Sequence, residues 1–110
     1  MTNIVVILTT MPDTAETDEL ARAIVDARLA ACVNVHGPMT SFYRWNDTLE
    51  REPERQLVIK TTRDRVADVA EWLRARHPYE LPEFLVLPVE HGSDAYLAWV
   101  AKESTTPKRT

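Results

Sequence analysis

An α+β sandwich in the order β-α-β-β-α-β, the ferredoxin-like plan with one extra C-terminal helix, is the fold this sequence predicts. Three observations carry that expectation. Apolar runs rich in β-branched residues, at 4–8, 31–35 and 57–59, alternate with stretches of helical period at about 14–30 and after Asp64. Turn residues Asn46-Asp47 separate the second and third strands by a short connection. The length, 110 residues, suits one domain. The expected bounds are a domain over 1–103 and a frayed polar tail over 104–110.

Ile4, Val5, Val6, Ile7 and Leu8 form a continuous run, as in a strand covered on both faces. Met11-Pro12-Asp13 is expected to stop it, with Asp13 capping a helix and Glu16 as its capping-box partner. Leu20, Ala23, Ile24 and Ala27 recur at helical spacing. The second strand starts at Ala31-Cys32, is interrupted at His36-Gly37-Pro38 and resumes at Ser41. A third strand covers about 49–62. Asp64 is the expected cap of a second helix, whose inner face carries Val66, Val69, Ala70 and Leu73. His77-Pro78 ends it, because the residue before proline is pushed out of the helical region. Residues 84–87 form a fourth strand, and Pro88 marks it as an edge. Gly92-Ser93 opens the last helix, with Tyr96, Leu97 and Val100.

Lengths decide how the middle hairpin must lie. The first helix, about 17 residues, spans roughly 25 Å. The third strand, about 14 residues, spans about 45 Å. The hairpin must therefore overhang the domain by roughly six residues per strand. Its tip carries Phe42, Tyr43, Trp45 and Leu49. A lone two-stranded ribbon is marginal in water, and its exposed rings call for a second subunit. The other expectation is a hairpin folded back on its own sheet. Pro53 lies in the overhang, where a bulge could bend one arm.

The net charge of −4 argues against a nucleic-acid partner, which needs a basic surface. Lys108-Arg109 is the one basic cluster. A single cysteine, Cys32, rules out an intramolecular disulfide and suits a reducing compartment. No apolar run approaches the ~20 residues of a membrane span, and the N-terminus lacks a signal-peptide pattern. A cytoplasmic location is expected.

Five segments, in order, resemble the CutA family of divalent-cation tolerance proteins. They are Leu29-Ala30-Ala31-Cys32-Val33-Asn34, Ser41-Phe42-Tyr43-Arg44-Trp45, Glu50-Arg51-Glu52-Pro53-Glu54 with Lys60-Thr61, His77 to Glu83, and Tyr96-Leu97-Ala98-Trp99. The resemblance implies a homotrimer whose long hairpins cross between subunits. It also implies tolerance to divalent cations, copper especially, and an architecture similar to PII-type signalling proteins. Two departures stand out: Asn46-Asp47-Thr48 replaces the family's turn glycine, and two of three copper ligands seen in some members are replaced by Thr9 and Arg76.

His77 is thus the one remaining candidate ligand for a divalent cation such as copper; its other reading is a helix-terminal ring bonded to the last carbonyls. Cys32 reads as a small apolar residue, and His36 and His91 as surface turn residues. Glu50, Glu52 and Glu54 share one face of the third strand. Salt bridging at a subunit interface is the preferred role, with Arg44 or a neighbour's base as partner; a hard-cation site is the second and catalysis the third. Lys60 is expected to pair with Glu83, to bind a small anionic ligand, or simply to be solvated. Tyr79 and Glu83, near Pro78 and Pro82, read as a rigid connection or a pocket wall at a subunit boundary, facing a ligand or a partner protein. No nucleophile elbow or glycine-rich phosphate loop is present, so the chain reads as a binding module rather than an enzyme. The rival readings are an anchoring or assembly scaffold without metal and a small ferredoxin-fold enzyme.

Overall fold

The computed structural model describes residues 2–105. Its elements are β1 (Ile4–Pro12), α1 (Ala15–Asp26), β2 (Cys32–Trp45), β3 (Thr48–Thr62), α2 (Val66–Arg76), β4 (Leu85–Pro88) and α3 (Asp94–Glu103). The four strands make one antiparallel sheet in the order β2-β3-β1-β4. This is the predicted ferredoxin-like α+β plan, with β4 on the edge as Pro88 required.

Alternation assigns the two faces of the sheet. Val5, Ile7, Leu57 and Ile59 point to one side and pack with Ala21, Ile24, Val69 and Leu73 from α1 and α2. Their neighbours point the other way, where Leu8 pairs with Val58 and with Leu85, and Val6 pairs with Leu87. There α3 covers only one end, through Val100 against Ile4 and Ala31. Leu85 and Leu87 remain 52% and 47% exposed.

Several local expectations change. β1 runs on through Met11 to Pro12, because β3 is long enough to pair with it as far as Glu54. The first residue before α1 is Thr14, not Asp13, and Thr17 Oγ1 donates to the Pro12 carbonyl at 2.6 Å. Asp13 lies instead 4.0 Å from Arg55. Asp64 caps nothing; a 3-10 turn over Arg63–Arg65 leads into α2. His77 does end α2, with ψ of 133° ahead of Pro78. Ser93 caps α3, its Oγ accepting from the Tyr96 N–H at 3.3 Å.

Ser104 and Thr105 open the stretch expected to be a frayed tail. Ser104 is buried, and Thr105 is held by the Arg28 side chain, whose Nε donates to the Thr105 carbonyl at 2.9 Å. Residues 106–110, with the Lys108-Arg109 cluster, lie outside the described residues.

The ribbon is as long as the lengths required. β1 stops opposite Glu54, and six pairs follow without a third strand, from Thr40–Pro53 to Trp45–Thr48. Asn46 and Asp47 have φ of 50° and 63°, the left-handed pair of a tight two-residue turn. The irregularity lies on β2, between His36 and Met39, and not at Pro53, which keeps its pairing with Thr40. Gly37 makes it: its φ is +119°, and a Cβ there would sit 3.2 Å from the Glu54 carbonyl.

Candidate functional site

The bulge fixes where the ribbon leaves the sheet, and a cleft of ≈ 710 Å³ opens at that root. One wall is the ribbon's inner face, carrying Ser41, Tyr43 and Trp45. The other is the segment after α2, from Pro78 to Glu83. Thr10 and Glu54 lie between the walls.

Three side chains pin the segment. Tyr79 N–H donates to His77 Nδ1 at 3.1 Å, so that nitrogen keeps its lone pair. The proton therefore sits on Nε2, which donates to the Thr10 carbonyl at 2.9 Å and lies 3.2 Å from Thr9 Oγ1. His77 thus ties the segment to the end of β1, not to the last carbonyls of its own helix. Burial pushes its imidazole below its ordinary pKa, against the opposing pulls of the Thr10 carbonyl and Glu54.

Tyr79 donates its hydroxyl to Glu54 Oε2 at 2.7 Å. Glu54 is only 6% exposed, so a buried carboxylate here has a phenol as partner. Burial first, and then that bond, push the Tyr79 phenol well above its ordinary value. Gln56 provides the third tie: its Nε2 donates to Glu83 Oε2 at 2.8 Å and to the Thr9 carbonyl at 2.9 Å.

The register sorts the acidic run. Glu50, Glu52 and Glu54 oppose Tyr43, Ser41 and Met39, so all three share the cleft's face of the ribbon. Burial, then Glu52, Glu50 and Glu54, raise the Tyr43 pKa. Arg44 does not meet them: it opposes Leu49 on the outer face. Phe42 is on that outer face too, with Arg51 5.8 Å from its ring centre. Arg55 faces α1 and binds Asp18 at 3.1 Å.

Of the expected site residues, Tyr43, Trp45, Tyr79 and Glu83 line the cleft, together with Glu54. Lys60 does not reach Glu83; it lies 5.9 Å from the Tyr96 ring, six residues further along β3. Cys32 is half-buried opposite Lys60, His36 is exposed on β2, and His91 stands beside Glu90. Among the described residues no three His, Cys, Asp or Glu side chains converge on one point. Sequence reasoning missed Gln56, Thr10 and Glu80. Gln56, a lone amide ahead of the apolar Leu57-Val58-Ile59, was the signal available.

Comparison with known proteins fits this geometry. The profile described as CutA1 divalent ion tolerance protein matches residues 5–103. The chain is 43% identical over 99 residues to the divalent-cation tolerance protein CutA of Escherichia coli O45:K1, covering 90% of this chain and 88% of that one. It superposes on the crystal structure of CutA from Xylella fastidiosa with a TM-score of 0.90 at 36% identity, over 94% of this chain and all of the other. A PII-like protein CutA from Nostoc sp. PCC 7120 gives a TM-score of 0.86 at 30% identity, over 92% and 97% of the two chains.

Proposed function

Because this chain belongs to the CutA1 divalent ion tolerance family, we propose that it works as a homotrimeric binding module of divalent-cation tolerance, in the cytoplasm and without catalysis. One observation carries the assembly: a six-pair ribbon and an apolar sheet face that one chain leaves uncovered. Each large apolar side chain taken from water there is worth about 2 kcal/mol before association costs. Among the described residues no helix is long and apolar enough to cross a membrane.

Copper is the cation in this reading, and His77 is its one imidazole beside the cleft. Both ring nitrogens already have partners, so copper uptake must break a bond that holds the segment at Pro78. The likeness to a PII-like CutA supports a signalling role in which cleft occupancy is the signal. Light scattering tests the assembly: three times the 12.6 kDa mass of one chain is expected, and a stable single-chain particle at micromolar concentration overturns it. Titration with Cu²⁺ tests the cation. The absence of saturable binding favours the assembly-scaffold reading, which draws on the lack of a converging ligand set among the described residues.

A further inference from the structure

The open face of the sheet is apolar and has one charge set into it. Across the strands Cys32, Lys60, Val6 and Leu87 stand in one row, and Asn34, Val58, Leu8 and Leu85 in the next. Lys60 is the one charged side chain of these rows. Its Nζ lies 5.9 Å from the Tyr96 ring, which in turn lies 5.5 Å from the Trp99 ring. Among the described residues no carboxylate pairs with it. Leu85, Leu87, Tyr96 and Trp99 around it are each about half exposed. An assembly that covers this face takes the ammonium out of water, and a buried charge without a counter-ion is strongly destabilising.

The ribbon has the complementary character. Its inner face carries Glu50 and Glu52 beside Tyr43, Ser41 and Trp45, while Arg44 and Arg51 sit on the outer face. Glu54 already has the Tyr79 hydroxyl. Glu50 and Glu52 form no ion pair among the described residues. They cannot serve Lys60 of their own chain, because all three lie on one continuous strand. Eight residues separate Glu52 from Lys60, or about 26 Å, and ten separate Glu50 from it, or about 33 Å.

Lengths match as well as charges. The six-pair overhang is about 20 Å long, and Lys60 lies about 20 Å along β3 from Glu54, where the ribbon leaves the sheet. A ribbon laid face down on another copy's sheet therefore reaches the Lys60 row. Sheets packed face to face lie about 10 Å apart, a gap that an extended lysine and a glutamate bridge together. Ribbon and sheet face are different surfaces, so the contact is heterologous and closes as a ring of copies.

We propose that Glu50 and Glu52 form the counter-charge of Lys60 of the partner subunit, with Tyr43 and Trp45 seated on the apolar rows around it. This deepens the trimeric reading and rests on it. The ion pairs set which part of the sheet face the ribbon covers, and each copy leaves a lysine unpaired until the ring closes.

Charge exchange in the full chain tests this, read by light scattering over a dilution series and by melting temperature. Lys60→Glu alone, or Glu50→Lys with Glu52→Lys alone, should raise the dissociation constant of the assembly at least tenfold. The triple variant carrying all three changes should regain most of that loss. Lys60→Met with Glu50→Gln and Glu52→Gln, which removes both signs of charge, should assemble better than Lys60→Met alone. One-sided variants that assemble like the parent chain overturn the proposal, and so does a triple variant as damaged as the sum of its parts. With the parent chain still a trimer, either result sinks this inference alone. A parent chain that scatters as a single 12.6 kDa particle sinks the trimer, and this inference with it.

Discussion

His77 illustrates how one ring can hold a segment in place. Its Nδ1 accepts from Tyr79 and its Nε2 donates to Thr10, so the neutral imidazole fits and the doubly protonated one does not. The folded-state pKa lies below the unfolded value, chiefly through burial. The unfolded chain therefore takes up the proton first, and stability is lost as pH falls. The contribution is complete above the unfolded value of about 6.5 and disappears as pH drops through the depressed folded value. Melting temperature measured between about pH 8 and pH 5 should decline at the acid end. His77→Asn, which cannot titrate, should flatten that part of the profile; an identical slope in the variant would show that other groups set it. Glu54, facing the same ring, favours the proton and keeps the effect modest. None of this was legible beforehand, because the partners are 67 residues away in β1 and two residues ahead in the loop.

At the scale of elements, strands and helices follow from local pattern, and their ends depend on their neighbours. The third strand, expected from about residue 49, starts within one residue of that position, whereas β1 gained four residues because Pro12 can sit opposite Glu54 at the end of a ladder. The hairpin turn depends on two residues at positive φ, which Asn and Asp accept and β-branched residues resist. Asp47→Val should therefore cost about 1–2 kcal/mol, read as a lower midpoint in urea unfolding. Asp47→Gly should be neutral or mildly stabilising. If valine were tolerated as well as glycine, the turn would have another conformation in solution.

For the whole molecule, the described chain measures 50 × 31 × 22 Å, long for its size because of the ribbon. Tyr43 and Trp45 are each about two-fifths exposed on it, and Phe42 and Leu49 on its outer face about two-thirds. In the trimeric reading these surfaces are covered by other copies. Tyr43→Ala with Trp45→Ala should then lower the melting temperature by roughly ten degrees or more, on the order of 2 kcal/mol per ring. Light scattering should show partial dissociation at micromolar concentration. An unchanged mass and melting temperature would place both rings outside any interface.

What the sequence by itself determined was the order of elements, the sheet's edge at Pro88 and the excess length of β3. Each follows from residue period or from chain length, which are local or additive quantities. It also placed Glu50, Glu52 and Glu54 on one face, since strand parity needs no partner. Only the tertiary structure decided that Arg44 stands away from those carboxylates, that Glu54 meets Tyr79, and that Gln56 rather than Lys60 holds Glu83. Those pairings arise where β3, the end of β1 and the segment after α2 converge at the root of the ribbon. Convergence of distant segments is set by strand register and the Gly37 bulge, which no single stretch of the chain encodes alone.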